Sequence, residues 1–246
     1  MNEPDFAEQR MELLRPHQLR DKLNEAPVVY MPFGTYEWHG EHLPIGLDSL
    51  TAHGVCLHAA KQSGGVVMPP LYYGTGGGHS AYPFTIMMET DEEISRLVTK
   101  SLTRLEEFGY RLAVLFSGHF APTQVEMVHQ LAEEWNAKNS SLKVLGAAIN
   151  EVPGLALPPD HAAIFETTLL YELWPETIDI SKLPRMTDGS MPESDSFSDE
   201  RHRTGHLLYG IFGPDPRVFD RNNGPWLLYD AAQWLASETR ACLSKT

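Results

Sequence analysis

The stretch GTYEWHGEHLPIGLDSL, residues 34–50, sets Glu37, His39, His42 and Asp48 directly after an apolar run. Carboxylates and imidazoles together are ligands suited to Zn, Mn or Fe. Glu37 and His39 are two apart, so an extended backbone would send both side chains to the same side. Asp48 has two readings: alone it is a helix N-cap, and beside the other ligands it is a bridging carboxylate. His119, in SGHF, follows the apolar run RLAVLF and by itself reads as closing a turn. The spacing E-x-H-x₈-D, joined by a later SGH at a strand end, points to a metal site. His42, His53, His58 and His129 read as ordinary surface or hydrogen-bonded histidines.

Those residues need a scaffold, and the hydrophobic pattern supplies one. APVVYMPF (26–33), GVVMPPLYYG (65–74), RLAVLF (111–116) and LKVLGAAI (142–149) read as strands, each almost continuously apolar. Between them lie amphipathic helices: DSLTAHGVCLHAAKQSGG, TDEEISRLVTKSLTRLEEFG, VEMVHQLAEEWNAKN, HAAIFETTLLYELW and GPWLLYDAAQWLASETRACL. In the second of these, Thr90 and Glu93 form a capping box and Gly109 suits the C-terminus. Its residues Ile94, Leu97, Val98, Leu105 and Phe108 share one face. Strand–helix alternation with apolar strands predicts an α/β fold whose largely parallel sheet is covered on both faces. Ligands of such sheets sit beyond the carboxyl ends of the strands, and that edge is where Glu37, His39, His79 and His119 fall.

Composition narrows the function. The chain has 246 residues, enough for the one domain expected over 1–246, with 181–206 as a polar surface excursion. A formal net charge of −14 argues against a nucleic-acid partner. No stretch approaches eighteen apolar residues, so no membrane span is expected. Cys56 and Cys242 form no CxxC pattern and the first residues lack a signal-peptide core, which makes the cytoplasm the expected location.

MPFGTYEWHGEHLPIGLD closely resembles the signature of the creatininase (creatinine amidohydrolase) family. The resemblance continues through YGTGGGHSAYPFT, SGHF, DHAAIFETT and GIFGPDPRVFDRNNG, in the family's order, from about residue 28 to residue 224. It implies a three-layer α/β/α sandwich and two divalent metal ions, with Zn first and Mn or Fe as alternatives. By motif, Glu37 and His119 would hold one ion and His39 the other, with Asp48 bridging. A water between the ions would be the nucleophile. His161 would be the general acid/base. Glu166, in the ETT segment, is a further catalytic position, and either a ligand of the second ion or a partner orienting a ligand. His79, Ser80 and Phe120 are the substrate-binding positions. A homo-oligomer is implied too, hexameric in creatininase.

The chain departs from the pattern where substrate is decided. Creatininase carries a glutamate ligand two places after the motif histidine, where this chain has Ala121. The run before His161, GLALPPD, lacks the tryptophans that enclose creatinine. The function expected is therefore metal-dependent hydrolysis of an amide C–N bond in a small molecule, other than an ordinary peptide bond, with creatinine a poor substrate. Two alternatives stand beside it: a peptide-processing enzyme of the same family, and a non-catalytic metal-binding protein that keeps the fold.

Overall fold

The computed structural model describes residues 9–88, 90–185 and 196–245. Helix α1 (Pro16–Glu25) leads into strand β1 (Val28–Phe33) and helix α2 (Leu47–Ser63). The short strands β2 (Val66–Val67), β3 (Gly74–Thr75) and β4 (Met87–Met88) follow, then helix α3 (Glu92–Phe108) and strand β5 (Leu112–Ser117). Helix α4 (Pro122–Asn136), strand β6 (Lys143–Ala148) and helices α5 (Ile164–Leu173) and α6 (Gly224–Leu243) complete the order.

Four strands form a parallel sheet in the order β2-β1-β5-β6. Every residue of β1 and β5 is buried, as strands covered on both faces must be. The two-residue strand period divides them between two cores. Val28, Tyr30, Leu112, Val114 and Phe116 pack with residues of α2, α5 and α6. Val29, Met31, Phe33, Ala113 and Leu115 pack with residues of α3 and α4. The result is the three-layer α/β/α sandwich with a mostly parallel sheet. The chain leaves β1 through α2 toward β2, and leaves β5 through α4 toward β6, in opposite directions across the sheet. A crevice opens beyond the carboxyl ends of two strands whose connections diverge in this way.

Two glycines let a helix enter that crevice. A Cβ on Gly34, just past β1, would lie 2.2 Å from the Ser49 amide nitrogen, and one on Gly118, just past β5, would lie 2.1 Å from the Asp48 carbonyl oxygen. Both strand ends therefore touch the first turn of α2 with bare backbone. Gly118→Ala should force that turn away and destabilise the fold by about 1–3 kcal/mol, the usual range for overpacking. At roughly 2–4 °C per kcal/mol for a chain of this size, thermal melting would show it. A variant melting with the wild type would mean that the approach is not tight.

Several elements differ from the sequence reading. The strand expected over 65–74 is only β2, because Pro69 and Pro70 cannot donate to a ladder; a lone bridge joins Leu71 to Phe33. Residues 74–75 pair instead with 87–88 as a second, two-stranded sheet. Asp48 does not cap α2: Gly46 holds the N-cap position, and Asp48 lies inside the first turn. In α3 the Thr90 hydroxyl meets the Glu93 carboxylate at 3.3 Å, but Asp91 is the N-cap and no side chain caps the helix. Gly109 does end α3 in the left-handed conformation. The buried face of α3 is Ile94, Val98, Leu102 and Leu105, whereas Leu97 and Phe108 are half exposed. The core spacing is four, four and three, and Leu97 and Phe108 fall to the side of that stripe.

Part of the excursion at 181–206, residues 186–195, lies outside the described residues. Its flanks are mostly exposed, yet Leu183 and Arg201 are buried. Cys56 and Cys242 are free thiols. Among the described residues no helix is long and apolar enough to cross a membrane.

Candidate metal centre and active site

Glu37 and His39 leave β1 in a loop whose ends are tied by the Glu37 amide donating to the Ile45 carbonyl at 3.0 Å. Asp48 comes from the first turn of α2, His119 from the end of β5, and Glu166 from the first turn of α5. All five are 5 % exposed or less. They converge as two triads with a common member: Glu37, Asp48 and His119 in one, His39, Asp48 and Glu166 in the other. Within each triad the donor atoms lie within 4.8 Å of one another.

The donor set fits a pair of dications. His39 donates Nδ1–H to the Glu37 carbonyl at 2.9 Å, which leaves Nε2 as the position for either a proton or a metal ion. That Nε2 lies 3.2 Å from Asp48 Oδ1 and 3.5 Å from Glu166 Oε2. His119 Nδ1 lies 3.0 Å from Glu37 Oε2 and 3.2 Å from Asp48 Oδ2. Among the described residues, Glu37 Oε2, Asp48 Oδ2 and His39 Nε2 are buried with no hydrogen-bond partner. Buried acceptors facing one another away from water are costly unless a proton or a metal ion stands between them.

Electrostatics tells the same story through protons. Burial lowers the basicity of His39, but the Asp48 and Glu166 carboxylates outweigh it and hold the imidazole up at about 10. His119 is raised well above its ordinary value, against burial, by Glu37 and Asp48. Glu37 is correspondingly held low, against burial, by His119 and His161. Glu166 is pushed up by burial and by Asp48 and Asp160, with His39 opposing. The protons on His39 and His119 thus occupy an electrostatic place that metal ions can take over.

His161 stands beside the triads. Its donor atom groups with those of Glu37 and His39 within 4.8 Å, and its ring centroid is 4.6 Å from that of His39. His161 precedes α5, whereas Glu166 is inside it, so their five-residue separation spans the helix start. The Trp38 carbonyl accepts His161 Nε2–H at 3.0 Å, which fixes the tautomer with Nδ1 as the base. Burial, against an opposing Glu37, pulls His161 down to about 3 and keeps it neutral. Ala162, next to it, has φ of 57°, an uncommon conformation for a residue with a Cβ. That turn sends the Ala162 amide to Glu166 Oε2 at 2.6 Å.

A cavity of about 200 Å³ opens on these groups, lined by Glu37, His79, His119, His161 and Glu166 and by Gly77, Phe120, Ala121 and Pro122. Two of the three expected substrate-binding positions, His79 and Phe120, are therefore at the cavity. His79 Nδ1 contacts Glu37 Oε1, and its ring stacks on Phe212 with centroids 5.6 Å apart. Ser80 is not part of the lining: it follows three glycines of positive φ and is exposed. His42 is buried beside Thr167 and lowered to about 3 by burial and by His39, outside both triads. His53 is likewise buried elsewhere, and His129 pairs with Glu151 at 2.7 Å.

Three contributors escaped the sequence reading. Trp38 acts through its carbonyl, which no residue type announces. Asp160 accepts from the Phe165 and Glu166 amides at 2.9 and 3.4 Å and so anchors the start of α5. An acid just before a helical run was the available signal. Phe212 exchanges two backbone hydrogen bonds of 2.8 Å with His161, an antiparallel bridge across fifty residues that leaves no local trace.

Comparison with known proteins agrees with this geometry. The creatinine amidohydrolase of Pseudomonas putida is 27% identical over 198 residues, covering 72% of this chain and 76% of that one. A mycofactocin precursor peptide peptidase of Mycolicibacterium smegmatis is 37% identical over 70 residues, 26% of this chain and 28% of its own. A solved manganese creatininase superposes with TM-score 0.72 at 22% identity, covering 96% of this chain and 98% of its own. A mutant creatininase of Zn–Zn type gives TM-score 0.72 at 21% identity over 95% and 98%. The sequence model of the creatininase (creatinine amidohydrolase) family spans residues 12–238, nearly the whole chain, and the protein accordingly belongs to that family.

Proposed function

We propose that the protein is a metal-dependent amidohydrolase that cleaves an amide C–N bond of a small molecule. The observation that carries the reading is the pair of buried triads sharing Asp48, whose members Glu37, His119 and Glu166 line the cavity. Glu37 and His119 would hold one ion, His39 and Glu166 the other, and Asp48 both. Zinc is the first choice, with manganese or iron as alternatives. Bound there, two dications would supply the Lewis acidity that activates a water and polarises a carbonyl. Glu166 takes the place of the carboxylate that Ala121 cannot offer, which argues against a protein that merely keeps the fold.

The chain's own groups do the rest. His161, neutral and oriented by the Trp38 carbonyl, accepts a proton at Nδ1 and delivers it to the departing nitrogen. Phe120, Ala121 and Pro122 give the cavity an apolar wall that excludes water and packs against the substrate. No lysine or arginine lines the cavity among the described residues, so beyond the metal ions no cationic side chain is there to hold an anionic group. Small uncharged amides fit best. The local likeness to a peptide peptidase keeps a peptide-processing enzyme as the second reading.

The test is a panel of neutral linear and cyclic amides beside unstructured peptides, assayed before and after chelation. Amide hydrolysis should vanish with chelator and return with Zn²⁺ or Mn²⁺. Full activity in exhaustively demetallated protein ends the two-metal reading, and cleavage confined to peptides transfers the proposal to the peptidase.

A further inference from the structure

Arg201 belongs to a stretch rich in Ser, Asp, Glu and Arg, yet it is 1 % exposed. Burying a guanidinium is costly unless its donors are used. Arg201 Nη1 donates to the Ile211 carbonyl at 2.8 Å and to the Gly213 carbonyl at 2.6 Å. These carbonyls flank Phe212, whose own N–H and C=O both bond His161. Successive peptide groups of an extended segment point to opposite sides. One side of residues 211–213 is thus held by Arg201 and the other holds His161.

The same turn, Asp199–His202, grips the Phe212 side chain. The His202 ring lies 4.6 Å from that of Phe212, and its Nδ1 accepts the Tyr82 hydroxyl at 2.6 Å. Phe212 in turn stacks on His79, which contacts Glu37. Gly213 closes the segment against the turn that leads into α5: a Cβ there would come within 2.6 Å of Ala163 and 2.7 Å of Asp160. There is no slack in this packing, so the register of Phe212 sets the position of His161.

We infer that Arg201 is a positioning residue: it splints residues 211–213 and through Phe212 fixes the His161 imidazole over the cavity. It acts through backbone carbonyls, and its effect on turnover rests on His161 having the role assigned above. The five candidate ligands are carried by the loop after β1, by α2, by the end of β5 and by α5, so the splint acts on the imidazole and leaves metal content alone.

Arg201→Met removes the donors and keeps the unbranched stem, two bonds short of the guanidinium nitrogens, and Arg201→Lys keeps a cation but ends one bond short of them. In the zinc-loaded Met variant kcat should fall about tenfold to a hundredfold with KM within about twofold, as expected for a small displacement of a catalytic group. The Lys variant should lose about tenfold or less. Nitrogen-edited NMR of the histidine rings provides a readout independent of activity. The His161 Nε2–H resonance, held by Trp38, should be lost or shifted, while that of His39 Nδ1–H, held by Glu37, stays. A folded Met variant, or the Lys variant if Met does not fold, with wild-type kcat and an unmoved His161 signal overturns the inference. So does a fall in kcat matched by loss of metal. If the wild type hydrolyses no amide, the functional reading fails, and the ring resonances still decide for or against the splint.

Discussion

Asp48→Asn is expected to strip metal from the protein and to lower turnover on the order of 10³-fold or more, because a single carboxylate serves both triads. Asparagine keeps the size and would keep an N-cap, so a capping role predicts almost no change. The structure already separates the two roles, since Gly46 occupies the N-cap position and Asp48 turns its buried carboxylate toward His39 and His119. Metal analysis of the purified variant should show a fall from about two ions per chain toward one or none. Two ions and normal turnover in Asp48→Asn would remove it from the ligand set.

His161→Ala should do the opposite to metal and much the same to rate. Loss of a general acid/base lowers turnover about 10²–10⁴-fold, whereas the five buried candidate ligands remain in place. The fold should survive, because His161 meets Phe212 through its backbone, which alanine retains. His79 is a poor substitute, since its Nδ1 is already engaged by Glu37. Turnover of the zinc-loaded variant, measured beside its metal content, is the check. An unchanged rate would assign the proton transfer to another group.

The sequence alone was enough for whatever depends on near neighbours along the chain. Near-continuous apolar runs in 28–33 and 112–117 can only be buried on both faces, and from that the parallel, helix-covered sheet follows. Glu37, His39 and Asp48 are legible for a similar reason, being clustered just past a strand, and His119 repeats the placement at a second strand end. Tertiary structure decided what residue type leaves open. An aspartate at a helix start can cap or ligate, and only the approach of two strand ends through Gly34 and Gly118 turns Asp48 into the shared member of both triads. Hydrophobic period likewise says that α3 has a buried stripe but not which edge of it meets α4, which is why Leu102 is core and Leu97 half exposed. Contacts across long separations leave no periodic trace: Phe212 against His161 and Arg201 against residues 211–213 exist because the packed chain must satisfy buried backbone and charge. No pattern local to residues 181–206 could say that one of their arginines would be the group to do it.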